Sequence, residues 1–226
     1  NDFNKKFYSI PITPIVINQI RAKINTGSIF SGKDKSEGEM SDVDYSIAGG
    51  LAHRFFAFQT LVLVKSKRYT YPKSDKDNPL LDGKIIEIHI KKNKFGRDKV
   101  ITKMVFIPEI GYSDILSILY NLEEDKVIKS ANFIKIPEIT GDKSYKLPAF
   151  VKELMDNEDM LKAFADFSLK YFLIKYKYIH NEDKFNVDKV LENLRLDVYK
   201  LNKFMQLMSM HKEIDLANIS DEEEGK

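Results

Sequence analysis

The sequence predicts an α/β chain, with a β-rich middle and a mainly helical C-terminal part built on a long antiparallel helical hairpin. Three patterns carry this reading. In the middle, Ile86, Ile88 and Ile90 alternate with Glu87 and His89, which is the two-residue period of a strand. Later, Met160, Phe164, Phe167, Tyr171, Ile174 and Tyr178 advance by 4, 3, 4, 3, 4, the spacing of a helical seam. Val187, Leu191, Leu194, Val198, Leu201, Met205 and Met208 repeat it as 4, 3, 4, 3, 4, 3.

Along the chain, residues 14–18 (Pro-Ile-Val-Ile-Asn) form a short apolar run of the kind found in buried strands. Residues 26–48 hold three glycines, five serines and seven charged residues with no apolar period, the composition of a mobile loop. Gly49 and Gly50 open a short helix over 51–58, which runs into a strand at 60–64. Strands follow at 84–90 and 100–107, and Pro72 and Pro79 fall between strands, where proline costs no ladder bond. Helices are expected at 113–121 and 148–155, then along the two seams. The polar link 180–186 returns the second seam against the first, with Asn186 as N-cap.

Composition narrows the function classes. The chain has 226 residues, 43% of them hydrophobic, with 36 Lys and Arg against 34 Asp and Glu. There is no cysteine, so a disulfide framework and a thiolate zinc site are excluded, in keeping with a reducing, cytoplasmic setting. Neither a membrane-length apolar stretch nor a signal peptide is present at the start, so no membrane partner is expected. The first residue is Asn1 rather than Met, and the chain is expected to be a fragment. Charge is unevenly spread. Residues 65–103 carry 12 basic against 5 acidic side chains, a net of +7, whereas 213–226 carry six acids and one base, a net of −5. A basic stretch with a distant acidic tail is a pattern of nucleic-acid proteins whose tail competes with the polyanion.

No G-x-x-x-x-G-K-[ST] string occurs, so the chain has no phosphate loop of its own. His53, His89, His180 and His211 lack ligand spacing, no metal site is expected, and no Ser, His and Asp set is recognisable. A self-contained hydrolase or metalloenzyme has no support.

Three segments in one order are distinctive: Val16-Ile17-Asn18-Gln19-Ile20-Arg21-Ala22-Lys23-Ile24, then Gly49-Gly50-Leu51-Ala52-His53-Arg54-Phe55-Phe56-Ala57, then Ile90-Lys91-Lys92-Asn93-Lys94. Together they resemble the RecA family of recombinases. In that family an I-N-Q-I-R-x-K-I string begins the second DNA-binding loop, a G-G-x-A-x-[KR]-F-[YF]-A string ends it, and V-K-N-K lies on a later strand. The run Met104 to Gly111 is similar to the family's strand into Y-G-x-G-I, and 126–136 more weakly resembles the start of its C-terminal domain.

The resemblance implies the C-terminal part of a RecA-like ATPase core over 1–110, with the DNA-binding loop at about 20–50. A mainly helical C-terminal domain over 111–218 and an acidic tail at 219–226 would follow. It implies that Gln19 senses the γ-phosphate, that Arg21, Lys23, Ile24, Gly49 and Gly50 contact DNA, and that Arg54 and Phe55 lie at a subunit interface. Lys92 and Lys94 would act catalytically, in trans, on a neighbour's ATP. The parent would use ATP and Mg²⁺, bind single-stranded and duplex DNA, and self-associate into a helical filament that promotes homologous pairing and strand exchange. The phosphate loop, the catalytic glutamate and the Mg²⁺-binding aspartate are expected upstream of Asn1, so this chain alone is expected to bind neither cofactor. Residues 26–48 exceed the length of the bacterial loop, Lys94-Phe95-Gly96-Arg97 replaces a proline-containing turn, and the seams at 160–208 have no family counterpart. These departures point to a divergent relative, of the kind found in bacteriophages. The alternative is a non-enzymatic DNA- or protein-interaction module built on the helical hairpin.

Overall fold

The computed structural model describes Ile15, Ile17, Ile20–Ala22, Tyr45–Ile47 and residues 57–94, 99–130, 132–176 and 186–224. Side chains are described within these except in the two short strands, at 65–66 and beyond Met210. Two compact units divide between Ala57 and Phe58. In the first, β1 (Ile20–Ala22) pairs antiparallel with β2 (Tyr45–Ile47), Arg21 opposite Ser46. The expected helix at 51–58 falls almost wholly outside the described residues.

The second unit holds a four-stranded antiparallel sheet in the order β3 (Gln59–Tyr71), β4 (Leu81–Asn93), β5 (Val100–Ile107), β6 (Gly111–Ser113). The helices are α1 (Asp114–Glu124), α2 (Pro137–Thr140), α3 (Leu147–Asp156), α4 (Glu158–Lys175) and α5 (Val187–Glu224). The strands expected in this unit are present, and β3 and β4 are longer than alternation alone indicates, because their lysines and threonines continue the ladder beyond the apolar stretch. The buried strand expected at 14–18 is not borne out where that run is described: Ile15 and Ile17 lie in no strand and are 85% and 93% exposed, since an apolar run gives a strand only where a partner covers it.

Residues directly opposed in an antiparallel ladder share a face. Val62, Tyr69, Tyr71, Leu81, Ile85 and Val105 are buried on the face that meets the helices. Val62 and Tyr69 share that face despite their odd separation, because Ser66 is an extra residue between the pairs Lys65↔Ile86 and Lys67↔Ile85. Ile86, Ile88 and Ile90 sit on the opposite face, opposed by Met104, Thr102 and Val100, and are only partly covered. With Leu63, Lys84, Phe106 and Tyr112, Ile86 lines an open groove of about 370 Å³. The isoleucine alternation therefore marks a strand without marking its core side.

Within the sheet, geometry requires glycine at two positions. Gly111 has φ +85° at the tight β5 to β6 turn. A Cβ on Gly83 would collide with the Phe106 carbonyl oxygen and Ile107 Cδ1.

The core passes without a break from the sheet into the helices: Leu81, Ile107, Leu119, Phe150, Phe164, Leu194 and Leu201 belong to one cluster. Helix α1 begins at Ser113, whose Oγ accepts from the Leu116 N–H at 3.2 Å. In the same way Asn186 caps α5 by accepting from the Lys189 N–H at 3.1 Å, as its sequence predicts. On α5 the buried positions Leu191, Leu194, Val198, Leu201 and Met205 follow the predicted seam. On α4 the prediction holds only at first: Met160 and Phe164 are buried, but Leu173 is buried in place of Ile174, which is 64% exposed. The face of α4 follows the 3.6-residue helical period rather than a strict heptad, because α4 packs on α2 and α3 as well as on α5.

The link 177–185 lies outside the described residues. Helix α5 contacts α1, α3 and α4. Its 38 residues span about 57 Å, and Asp221–Glu224, expected as a separate tail, continue it. Glutamate is a good helix former, and no glycine or proline interrupts α5 before Gly225.

Two substitutions test this packing. Gly83→Ala should lower unfolding free energy in urea by about 1–3 kcal/mol, since the clash partners include backbone. Leu194→Asp puts an unpaired charge at a position 1% exposed and should cost about 4 kcal/mol or more. A variant melting like the parent would remove Leu194 from the seam.

Candidate functional site

Lys92 and Lys94 stand where the β3–β4 ladder ends. Thr60 opposes Lys92 but Leu61 opposes Ile90, so Lys91 is an extra residue on β4 and forms a bulge. The bulge changes which face the following residues share. Without it Lys92 would extend the Ile86, Ile88, Ile90 row; with it Lys92 joins Thr60 and Val62 on the helix-covered side of the sheet. The ladder runs one step further, where the Lys94 N–H donates to the Phe58 carbonyl at 2.9 Å. Lys94 Nζ lies 4.9 Å from the centre of the Phe58 ring, a cation–π contact at an exposed site. Gln59 Nε2 donates to Asn93 Oδ1 at 3.1 Å, tying the two strand ends together.

Lys99 adjoins them. Its φ is +57°, and its N–H donates to the Ile90 carbonyl at 2.7 Å. Lys91, Lys94 and Lys99 are exposed and Lys92 is half-buried, so one end of the sheet carries four lysines. Such a group attracts phosphate, and its interactions in solvent are screened by salt.

Of the other residues singled out from sequence, Arg21 lies on β1, described as backbone only. Gln19, Lys23, Ile24, Gly49, Gly50, Arg54 and Phe55 lie outside the described residues. The structure therefore brings together Lys92 and Lys94.

A second polar cluster escapes sequence reasoning. It joins the end of α1, the end of α4 and the sheet. Lys175 Nζ is 2.8 Å from Asp125 Oδ2 and donates to Asn121 Oδ1 at 3.1 Å and to the Tyr171 hydroxyl at 3.2 Å. Tyr171 in turn donates to Asp125 Oδ2 at 2.5 Å. Burial disfavours the Asp125 anion, but the bonds from Lys175 and Tyr171 outweigh it and hold this carboxyl below its usual range. Burial, followed by the Asp125 bond, pushes the Tyr171 phenol far up. Beside it, Lys103 pairs with Glu124 at 2.6 Å and Glu87 at 3.6 Å, and Glu87 reaches His89 at 3.3 Å. The arrangement is a strut between helices and sheet. The groups that each element contributes are far apart in sequence, and no periodic signal announces their meeting.

Among the described residues no group of His, Cys, Asp or Glu is placed to hold a metal ion, and no helix is long and apolar enough to cross a membrane. Comparison of the chain with protein-family models and with curated proteins finds no match in either.

Acid titration tests the strut. The stability that Asp125 contributes is present above its unfolded pKa and is lost as pH falls through its lower folded value. Lys175→Met removes the principal force lowering that value. Its acid-unfolding midpoint, followed by circular dichroism, should lie at higher pH than that of the parent; equal midpoints would mean that the ion pair contributes nothing.

Proposed function

We propose that this chain is the C-terminal part of a RecA-like recombinase, acting in DNA recombination and repair as part of an ATP-dependent filament on single-stranded DNA. The observation that carries the reading is the agreement between motif order and element order. The Gly49-Gly50 string precedes a run of three antiparallel strands, β3 to β5, and the two lysines of the K-x-K string share one exposed end of that run. The run into Gly111 then ends on β6 and enters α1.

In this reading Arg21 and Lys23 neutralise DNA phosphates and Ile24 wedges between bases. Gly49 and Gly50 let the backbone approach a phosphate closely. Gln19, a neutral amide donor, senses the terminal phosphate of ATP without a charge penalty. The parent holds ATP and Mg²⁺ with residues this chain does not contain. Lys92 and Lys94 present positive charge to the neighbouring subunit's nucleotide, stabilising the charge that develops in phosphoryl transfer, while Arg54 and Phe55 engage that neighbour. Helices α4 and α5 form the hairpin of the enlarged C-terminal domain.

A second reading, an interaction module built on the helices, draws on α5. Among its described side chains Met205 is the last buried one, and Leu207 and Met210 are exposed.

Binding of single-stranded DNA by the 226-residue chain tests the first reading. Arg21→Ala and Lys23→Ala should each reduce the slope of log K against log salt by about 0.7. Slopes equal to the parent's would remove this loop as the DNA contact. Deleting residues 206–226 separates the two readings. In the first, it removes acidic competition and raises affinity at low salt, with little effect at high salt. In the second, it abolishes binding.

A further inference from the structure

Asp197 occupies an unexpected place on α5. It lies between Leu194 and Val198 on the buried side of the helix and is only 7% exposed. Its Oδ2 accepts from the Ile115 N–H at 2.7 Å and from the Ser113 hydroxyl at 2.9 Å, so a carboxylate from α5 seats on the N-terminus of α1. The Asp114 N–H also supports it. The charged group that acts on it from α1 is another acid, the half-buried Asp114. On α5 itself, Lys200 one turn along is exposed, and Arg195 is committed to Glu158 of α4. A buried carboxylate thus lies within the field of a second one at the start of a helix.

We propose that Asp197 and Asp114 form a proton-sensitive latch between α5 and α1, closed while the pair holds one proton and loosened when both ionise. The chemistry permits this without loss of the seat. The bonds from Ile115 and Ser113 both converge on Oδ2, so a proton on the other oxygen leaves these two in place. Ionisation strengthens the two donors' hold but adds the cost of a buried charge facing Asp114. Burial is the larger influence: it raises the Asp197 carboxyl to about 6, and it also raises Asp114. A carboxyl raised in the folded state stabilises fully below its unfolded pKa, and that stability is lost as pH rises through the folded value. The latch therefore loosens between mildly acidic and neutral pH, weakening the hold of Leu194, Val198 and Leu201. This inference is independent of what the chain binds.

The test compares the native chain with Asp197→Asn, which keeps an acceptor oxygen and has no charge to gain. Urea unfolding at about pH 4.5 and about pH 7.5 should show the native chain's unfolding constant rising on the order of tenfold or more relative to the variant. Amide protection within residues 113–117 and 190–205, taken relative to the intrinsic exchange rate at each pH, should fall in the same step in the native chain alone. Asp114→Asn leaves the Asp197 bonds intact and should flatten the profile in part, which keeps the proposal testable should Asp197→Asn fail to fold. A purely structural role for Asp197 predicts a constant offset at every pH. Parallel profiles for the native chain and the variants would overturn the latch.

Discussion

The second unit depends on one buried chain of hydrogen bonds. The Val105 N–H donates to Ser117 Oγ at 2.9 Å, Ser117 donates to the Ser113 carbonyl at 2.5 Å, and Ser113 donates to Asp197. Strands β5 and β6 and helices α1 and α5 meet there, across more than eighty residues of sequence between Ser113 and Asp197. Apolar burial supplies most of the cohesion, but it is non-directional. The serines and the aspartate fix where α5 lies along α1, because an α5 displaced by one turn would leave the Ile115 N–H buried without its acceptor.

Much of the fold was legible in the sequence, and the parts that were not share a cause. Strand and helix positions follow from periods, which are local, so β5, α1, α3 and the Asn186 cap were readable. Coverage is not local. Ile86, Ile88 and Ile90 look like core residues, yet the helices settle on the face carrying Leu81 and Ile85. Likewise Ile174 continues a heptad on paper, but α4 is packed from several sides and buries Leu173. Asp197 interrupts an apolar seam as an acid, which a sequence reader assigns to solvent.

The candidate site was legible to a different degree. Lys92 and Lys94 were identifiable from the string that contains them, and their two-residue spacing already gave them a common face. Which face that would be depended on Lys91, and nothing in a row of lysines marks one of them as the extra residue. The strut of Lys175, Asp125 and Tyr171 had no sequence signal, because its partners come from different helices and meet only after the core has formed.

The bulge at Lys91 has a consequence for how such a chain can change over generations. The bulge takes up Lys91 as a residue in excess of the ladder, so losing it would make the pairing regular while Lys92 stayed opposite Thr60 and every upstream pair of β4 kept its place. One codon can thus be gained or lost at the basic end of this sheet without re-aiming its lysines or disturbing the hydrophobic interior. Ser66 gives β3 the same tolerance, since its loss would leave Tyr69 opposite Gly83 and Tyr71 opposite Leu81.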